Sequence, residues 1–333
     1  MKLNRSYPAL LALLLMATSA GCRQEPLPES GNVLRFTVSS VGVSSATTKA
    51  DPVLPRASLP LDRLNINGNK VTVWGSLTEG GSSRNVFNTA SLDLLCTRVG
   101  EGSPTWDYAG SRYLWNPAAT FQFRSVFMDN HDTDILSGSS SQVDIKYSGS
   151  YDLMVAATPV PAAASQRAQL VFLHASSVVR FFVIDPSRAS DAPANYTVSN
   201  FTLKNVATKG TLAWDEPESA SLSNVSLSKW TPDAVVGNAY VQESPLKEVP
   251  NENATDSQAA LTPWLYFVPQ ALTTAKISFN FSVGDQTIGV ERSLTGSWEP
   301  GKAYTYYIII QPKAIEVTVQ WTDWVTTDPQ DLI

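Results

Sequence analysis

Few side chains in this sequence are placed to do covalent chemistry, and the clearest is the thiol of Cys22. It closes a short apolar run, 9–17, that follows Lys2 and Arg5 and leads into Ser19-Ala20-Gly21-Cys22. Basic residues hold such a leader on the cytoplasmic side, and the run is too short to cross a bilayer of about 30 Å as a helix. Small residues then present a thiol that can accept a diacylglycerol. The pattern predicts a lipoprotein signal peptide over 1–21 and a mature chain starting at an acylated Cys22, each buried methylene adding about 0.8 kcal/mol of membrane attachment. An ordinary cleaved signal whose site contains a cysteine is the alternative. With Cys22 acylated, Cys96 has no partner for an intramolecular disulfide. Its setting, Leu94-Leu95-Cys96-Thr97, predicts a buried structural thiol.

Catalytic and metal chemistry is limited by scarcity. There are two histidines. His131 lies in a polar stretch with Asp129, Asp132 and Asp134, which together could offer oxygens and an imidazole to a cation. The stretch has no Gly at the sixth place and no Glu at the twelfth of a calcium loop, so it reads as a solvated turn. His174 shares a strand face with Leu170 and Phe172 and reads as a hydrogen-bonded core histidine. No Ser, His and Asp grouping favours a triad, and Gly80-Gly81 lacks the following helix that a phosphate cradle needs. No enzyme activity, metal or cofactor is expected.

The body that carries these residues is acidic and ample in core formers. Removing 1–21, which holds two basic residues and no acidic one, moves the formal net charge from −6 to −8. Such a chain lacks the basic groups that displace counterions from nucleic acid. The hydrophobic fraction of 43% and nine Trp suffice for a core, and the length suggests two domains.

Alternation supplies strands nearly everywhere. Ile277, Phe279, Phe281 and Val283 alternate with polar residues, as do Ile315, Val317, Val319 and Trp321 near the C-terminus. The stretch 303–310 reads as a more fully buried strand. Further strands are expected at 33–38, 71–75, 121–127, 143–147, 152–156, 170–175, 178–184 and 197–203. Short strands between Gly, Ser, Asn and Pro clusters argue for antiparallel sandwiches with few helices. Pro159 and Pro161 open a small-residue run, 158–165, that resists pairing and marks a domain junction. Residues 22–31 read as a tether, and 39–62 as a loosely held segment.

Trp106, Tyr108, Tyr113 and Trp115 lie close together. They form either a face that stacks on sugars or a hairpin whose aromatics fill the core.

Several segments in order resemble the fimbrillin family of lipoprotein pilins, the type V pilus subunits and their Mfa-like relatives. They are the lipobox start, Val73-Trp74, Trp106 through Tyr113-Leu114-Trp115-Asn116-Pro117 with Phe121-Gln122-Phe123, and Tyr151-Asp152-Leu153-Met154-Val155-Ala156. The second half adds Leu170-Val171-Phe172-Leu173-His174-Ala175, Val179-Arg180-Phe181-Phe182-Val183, Trp298-Glu299-Pro300-Gly301-Lys302-Ala303-Tyr304-Thr305-Tyr306 and Trp321-Thr322-Asp323-Trp324. The resemblance implies an all-β chain of two tandem transthyretin-like Greek-key β-sandwich domains, here 32–160 and 161–333. It also implies a lipid-anchored, surface-exposed protein of the cell outer membrane, passing to a fimbrium after processing and able to meet host or bacterial surface ligands.

In polymerising members of the family a protease cuts after Arg or Lys, removes the first strand, and a neighbour's C-terminal strand fills the groove. The matching first strand carries Leu34, Phe36 and Val38 on one face. Candidate cuts follow Lys49, Arg56 or Arg63, with Arg56 preferred. Reburying each exposed side chain is worth about 1.5–3 kcal/mol, and an incoming strand recovers the backbone bonds as well. The candidate donor strand carries Ile315, Val317, Val319 and Trp321, yet nine residues after Trp324 leave little further strand, so the alternative is that 314–325 is a permanent member of the second domain. The expected partners are other pilin subunits through donor-strand exchange. The alternative is a lipid-anchored glycan-binding protein using Trp106, Tyr108, Tyr113 or Trp115.

Overall fold

The computed structural model describes residues 33–40, 63–98, 102–110, 112–129, 134–157, 167–188, 196–215, 225–242, 248–251, 253–311 and 314–324. Cys22, the tether, Lys49, Arg56, His131, Asp132 and the run 158–165 lie outside the described residues.

Strands dominate. The first half contributes β1 (Arg35–Ser40), β2 (Lys70–Glu79), β3 (Ser82–Asn85), β4 (Leu92–Thr97), β5 (Thr105–Asp107), β6 (Thr120–Phe127), β7 (Ile135–Gly138), β8 (Val143–Tyr147), β9 (Met154–Ala157) and β10 (Arg167–His174). There follow β11 (Ser177–Ile184), β12 (Tyr196–Lys204), β13 (Gly210–Trp214), β14 (Trp230–Pro232), β15 (Tyr240–Gln242) and a one-turn helix, Asp256–Ala259. The chain closes with β16 (Leu265–Phe267), β17 (Gln270–Ala271), β18 (Lys276–Val283), β19 (Gln286–Ser293), β20 (Ser297–Trp298), β21 (Lys302–Gln311) and β22 (Ala314–Asp323).

An eight-stranded sheet ordered β1-β10-β9-β6-β2-β4-β5, with β3 on β2, builds the first module. Both of its faces are covered. Val71, Val73, Phe121, Phe123 and Leu170 point into one core, and the sheet curls around it until β1 and β5 meet. Trp74, Val126, Leu153 and Val155 point the other way, into a core shared with a four-stranded sheet ordered β14-β13-β8-β7. Close approach there explains Gly138, where a Cβ would fall 2.2 Å from the Trp74 ring. The β2–β3 hairpin turns on Gly80 and Gly81, both at positive φ (56° and 81°), the conformation that two-residue hairpins require.

The second module is a sandwich of β16-β11-β21-β22 and β15-β12-β18-β19. Phe181, Ile308, Phe201, Ile277 and Phe279 interleave between the sheets. The alternation over 276–283 is what this arrangement needs, one face inward and one outward. Along β11 and β21 the apolar run is nearly continuous, interrupted by Arg180 and Thr305, because both faces are buried. Their outer faces pack beneath Ala259 and Trp264.

Two expectations change. Pairing is not uniformly antiparallel, since β1 runs parallel to β10 and β11 parallel to β21. Nor does packing divide at 160/161: β10 belongs to the first module's sheet, and β13 and β14 return to it from the second half through β8. Ala168, Leu170 and Phe172 complete the curled core, so the first module is not closed without residues beyond 160. No described helix is long and apolar enough to cross a membrane.

Candidate assembly site

β1 is held differently on its two sides. Against β10 it forms a six-residue parallel ladder from Arg35↔Arg167 to Ser40↔Phe172. On the other side the connection is sparse: Leu34 N donates to Tyr113 O (2.8 Å), Tyr108 OH donates to Leu34 O (3.0 Å), and Val33 bridges Leu114. Side chains supply the remaining attachment. Leu34 and Phe36 are buried, and Val38 packs against the same core. The Phe36 ring meets Phe123 edge-on at 5.2 Å and Tyr108 at 6.3 Å.

The aromatic segment 106–115 is therefore the wall of the slot that β1 fills. Trp106, Tyr108 and Trp115 are buried, Tyr113 is half-buried, and Trp115 stacks on Phe121 at 4.5 Å. Three of the four rings thus face inward and help close the curled core, and the fourth, Tyr113, packs against its edge. Outside the wall, Arg112 grips Asp107 through two bonds of 2.6 and 2.9 Å and holds that carboxyl below the usual carboxylate range. Cys96 faces the same core, and burial pushes its thiol up.

Of the three candidate cleavage positions, Arg63 alone is described, and it is engaged. Its guanidinium pairs with Asp129 (2.8 Å), its carbonyl accepts from the Asn69 side chain, and the next residue, Leu64, is fully buried. A protease must extend the chain on both sides of the bond, which here would extract Leu64 from the core. Asp134 likewise accepts from Ser148 and Tyr151 (2.9 and 2.7 Å), so Asp129 and Asp134 are both committed to protein partners.

The candidate donor strand is β22, an edge strand whose one strand partner among the described residues is β21. That pairing is unbroken over ten residues, Lys302↔Asp323 to Gln311↔Ala314. Ile315 and Val317 pack on the sandwich core, whereas Val319 and Trp321 are 40% and 50% exposed. Past the strand, Trp324 is buried at the junction of the two modules. Its ring stacks on His174 at 3.8 Å and 9°, and its backbone N–H donates to Gly301 O (2.8 Å). His174 Nδ1 in turn lies 2.9 Å from Asp152 Oδ1, both residues buried. The sequence marks His174 as a bonded core histidine; its partners, Asp152 just before β9 and Trp324 just after β22, have no local signature.

A curled sheet closed by its first strand and a sandwich ended by its last define an all-β protein built of packed sheets. Within that class, the chain belongs to the fimbrillin-like family, whose model matches residues 62–324. This is a family of fimbrial structural subunits rather than of enzymes, and membership implies a cell-surface location and contact with other pilin subunits. Among solved structures, a fimbrial protein from Bacteroides vulgatus aligns with TM-score 0.55 at 15% identity, over 88% of this chain and 100% of its own. A candidate cell adhesion protein from Bacteroides uniformis aligns with TM-score 0.51 at 15% identity, over 90% and 100%. At these identities the likeness is one of fold. Comparison with curated proteins gave no match.

Proposed function

We propose that this protein is a lipid-anchored, surface-exposed fimbrial subunit of the type V kind that joins its neighbours by strand complementation, with the position of β1 as the acceptor slot. The observation that carries the reading is the setting of β1. It fills a core with Leu34, Phe36 and Val38, yet it lies outside the family match that begins at residue 62. Its removal would open a sheet edge on β10 and an apolar slot together, and a strand from another subunit would restore both. Acylation of Cys22 is the anchor in this account, and Arg56 is the preferred cut, with Lys49 second. Arg63 is disfavoured by its ion pair and by buried Leu64.

Donation of Ile315, Val317, Val319 and Trp321 to a neighbour would unzip the ten-residue pairing with β21 and pull Trp324 off His174. We therefore assign β22 to its own sandwich. The subunit accepts a strand without giving this one, which suits a tip, anchor or accessory position better than a repeating stalk. A transthyretin-like topology and an adhesive role, the latter carried by the name of the Bacteroides uniformis structure, belong to the same proposal.

N-terminal sequencing and acyl analysis of surface material test it. The expected result is an acylated Cys22 in the membrane-bound precursor and a start at Ala57 in subunits built into filaments. Filament subunits that all retain residues 35–40 in the same chain would overturn the acceptor reading.

A further inference from the structure

We propose that the cleft beside Trp321 is a binding site for a neutral saccharide. Among the described residues, Trp321 is the one aromatic side chain in the set of large apolar groups left exposed. It borders a cleft of about 350 Å³ lined by Glu299, Lys302, Tyr304, Tyr306 and Val319, with the turn at 295–297 as its rim. The cleft exists because the sheets of the second module part along β22. They touch at Ile315, whose carbonyl accepts from Arg292 Nε (3.2 Å), and exposure then rises through Val319 to Trp321. Mostly apolar walls with a few fixed polar groups, at this volume, are the make-up of a small-ligand site.

The polar groups select the ligand. Tyr304 OH accepts from Glu299 N (2.8 Å) and Tyr306 OH accepts from Trp298 Nε1 (3.0 Å), so each phenol keeps its own proton to donate. Glu299 takes the Ser297 hydroxyl on one carboxylate oxygen (2.6 Å) and presents the other as an acceptor. Lys302 Nζ lies 4.7 Å from the centre of the Trp321 ring and is bonded to Asp323. That ammonium already holds the place where a cation would sit on the ring and would repel a second one. Glu299 and Asp323 oppose an anion in the same way. What remains favoured is an uncharged molecule with an apolar C–H face for the indole and hydroxyls that both donate and accept, which describes a pyranose. The site is independent of the acceptor slot and needs β22 in its own sandwich.

The test uses the full chain with cellohexaose, laminarihexaose and triacetylchitotriose as probes, read by intrinsic Trp fluorescence and calorimetry. At least one probe should give a saturable response that weakens about tenfold or more in Trp321→Ala, as for loss of a central aromatic anchor. Tyr306→Phe should weaken it severalfold; because the change also strips the buried Trp298 Nε1 of its acceptor, the melting temperature should fall modestly and binding is compared well below it. No saturable response to any probe, or an equal response in Trp321→Ala, would overturn the proposal. So would concentration-dependent dimerisation lost in Trp321→Ala without a saccharide response, which would make the cleft a contact between copies.

Discussion

Phe36→Ala weakens the hold of β1 on its slot without touching the slot itself, and so measures whether that strand is separable. The ring is 7% exposed and wedged edge-on against Phe123 and Tyr108. Core Phe→Ala changes cost about 3–5 kcal/mol, and a strand near a chain end can relax, which favours about 3 kcal/mol. Leu34 and Val38 remain, and ordering each backbone residue costs about 1–2 kcal/mol, so the net hold on β1 is small enough for this loss to matter. At about 1.4 kcal/mol per factor of ten, the population with an open slot rises roughly 100-fold. A labelled synthetic strand of residues 32–40 competes for that slot, and its apparent affinity scales with the open fraction. Fluorescence anisotropy should therefore show it binding the intact variant roughly 100-fold more tightly than the parent chain. Unchanged peptide binding, or loss of tertiary structure in both modules together, would refute a separable first strand.

Three further predictions follow from the packing. Trp324→Ala removes the stack on His174 and should destabilise the protein by about 3–5 kcal/mol in urea unfolding, with earlier proteolysis of the C-terminal strand; unchanged protection of β22 would mean that the junction does not hold it. Trp115→Ala should cost a similar amount, about 3–5 kcal/mol, because the ring is buried against Phe121 rather than offered to a ligand. Burial raises the phenols of Tyr266, Tyr304 and Tyr306 to about 12. Unfolded tyrosine ionises near pH 10, so the native state keeps protons that the unfolded state has lost, and stability should fall as pH rises from about 10 to 12. Near-ultraviolet phenolate absorbance should show a late group of tyrosines appearing with unfolding; complete titration near pH 10 in a folded protein would contradict this.

Much of the strand content is legible in the sequence, because burial on one face writes itself as alternation. Ile277 and Phe279 against Lys276 and Ser278 place β18, and the run from Val178 to Ile184, interrupted only by Arg180, marks a strand covered on both faces. The short edge strands β3, β5, β14 and β15 have too few core contacts to leave such a pattern. Partnership is a different matter. Leu170 and Phe172 declare β10 a strand, but nothing local says that it pairs with β1 and β9 rather than with the strands that follow it. The prolines at 159 and 161 interrupt pairing in sequence without dividing the cores in space, because β10, β13 and β14 all rejoin the first module. For the candidate site, the apolar face of Leu34, Phe36 and Val38 is readable, while the wall that receives it is not. Trp106 and Trp115 look alike whether they face a core or a sugar, and only curling of the sheet decides. The exposed position of Trp321 is hidden in the opposite sense, since its strand alternates like a fully covered one and the parting of the two sheets uncovers it.

In the proposed assembly the place of β1 is filled by another subunit of the fimbria. A filament structure resolved to side-chain detail tests it most directly. Strand complementation predicts a foreign strand between β10 and the 106–115 wall, with apolar side chains in the positions of Leu34, Phe36 and Val38, and β22 still paired to its own β21. Filaments in which every subunit keeps its own β1 in that slot would contradict it.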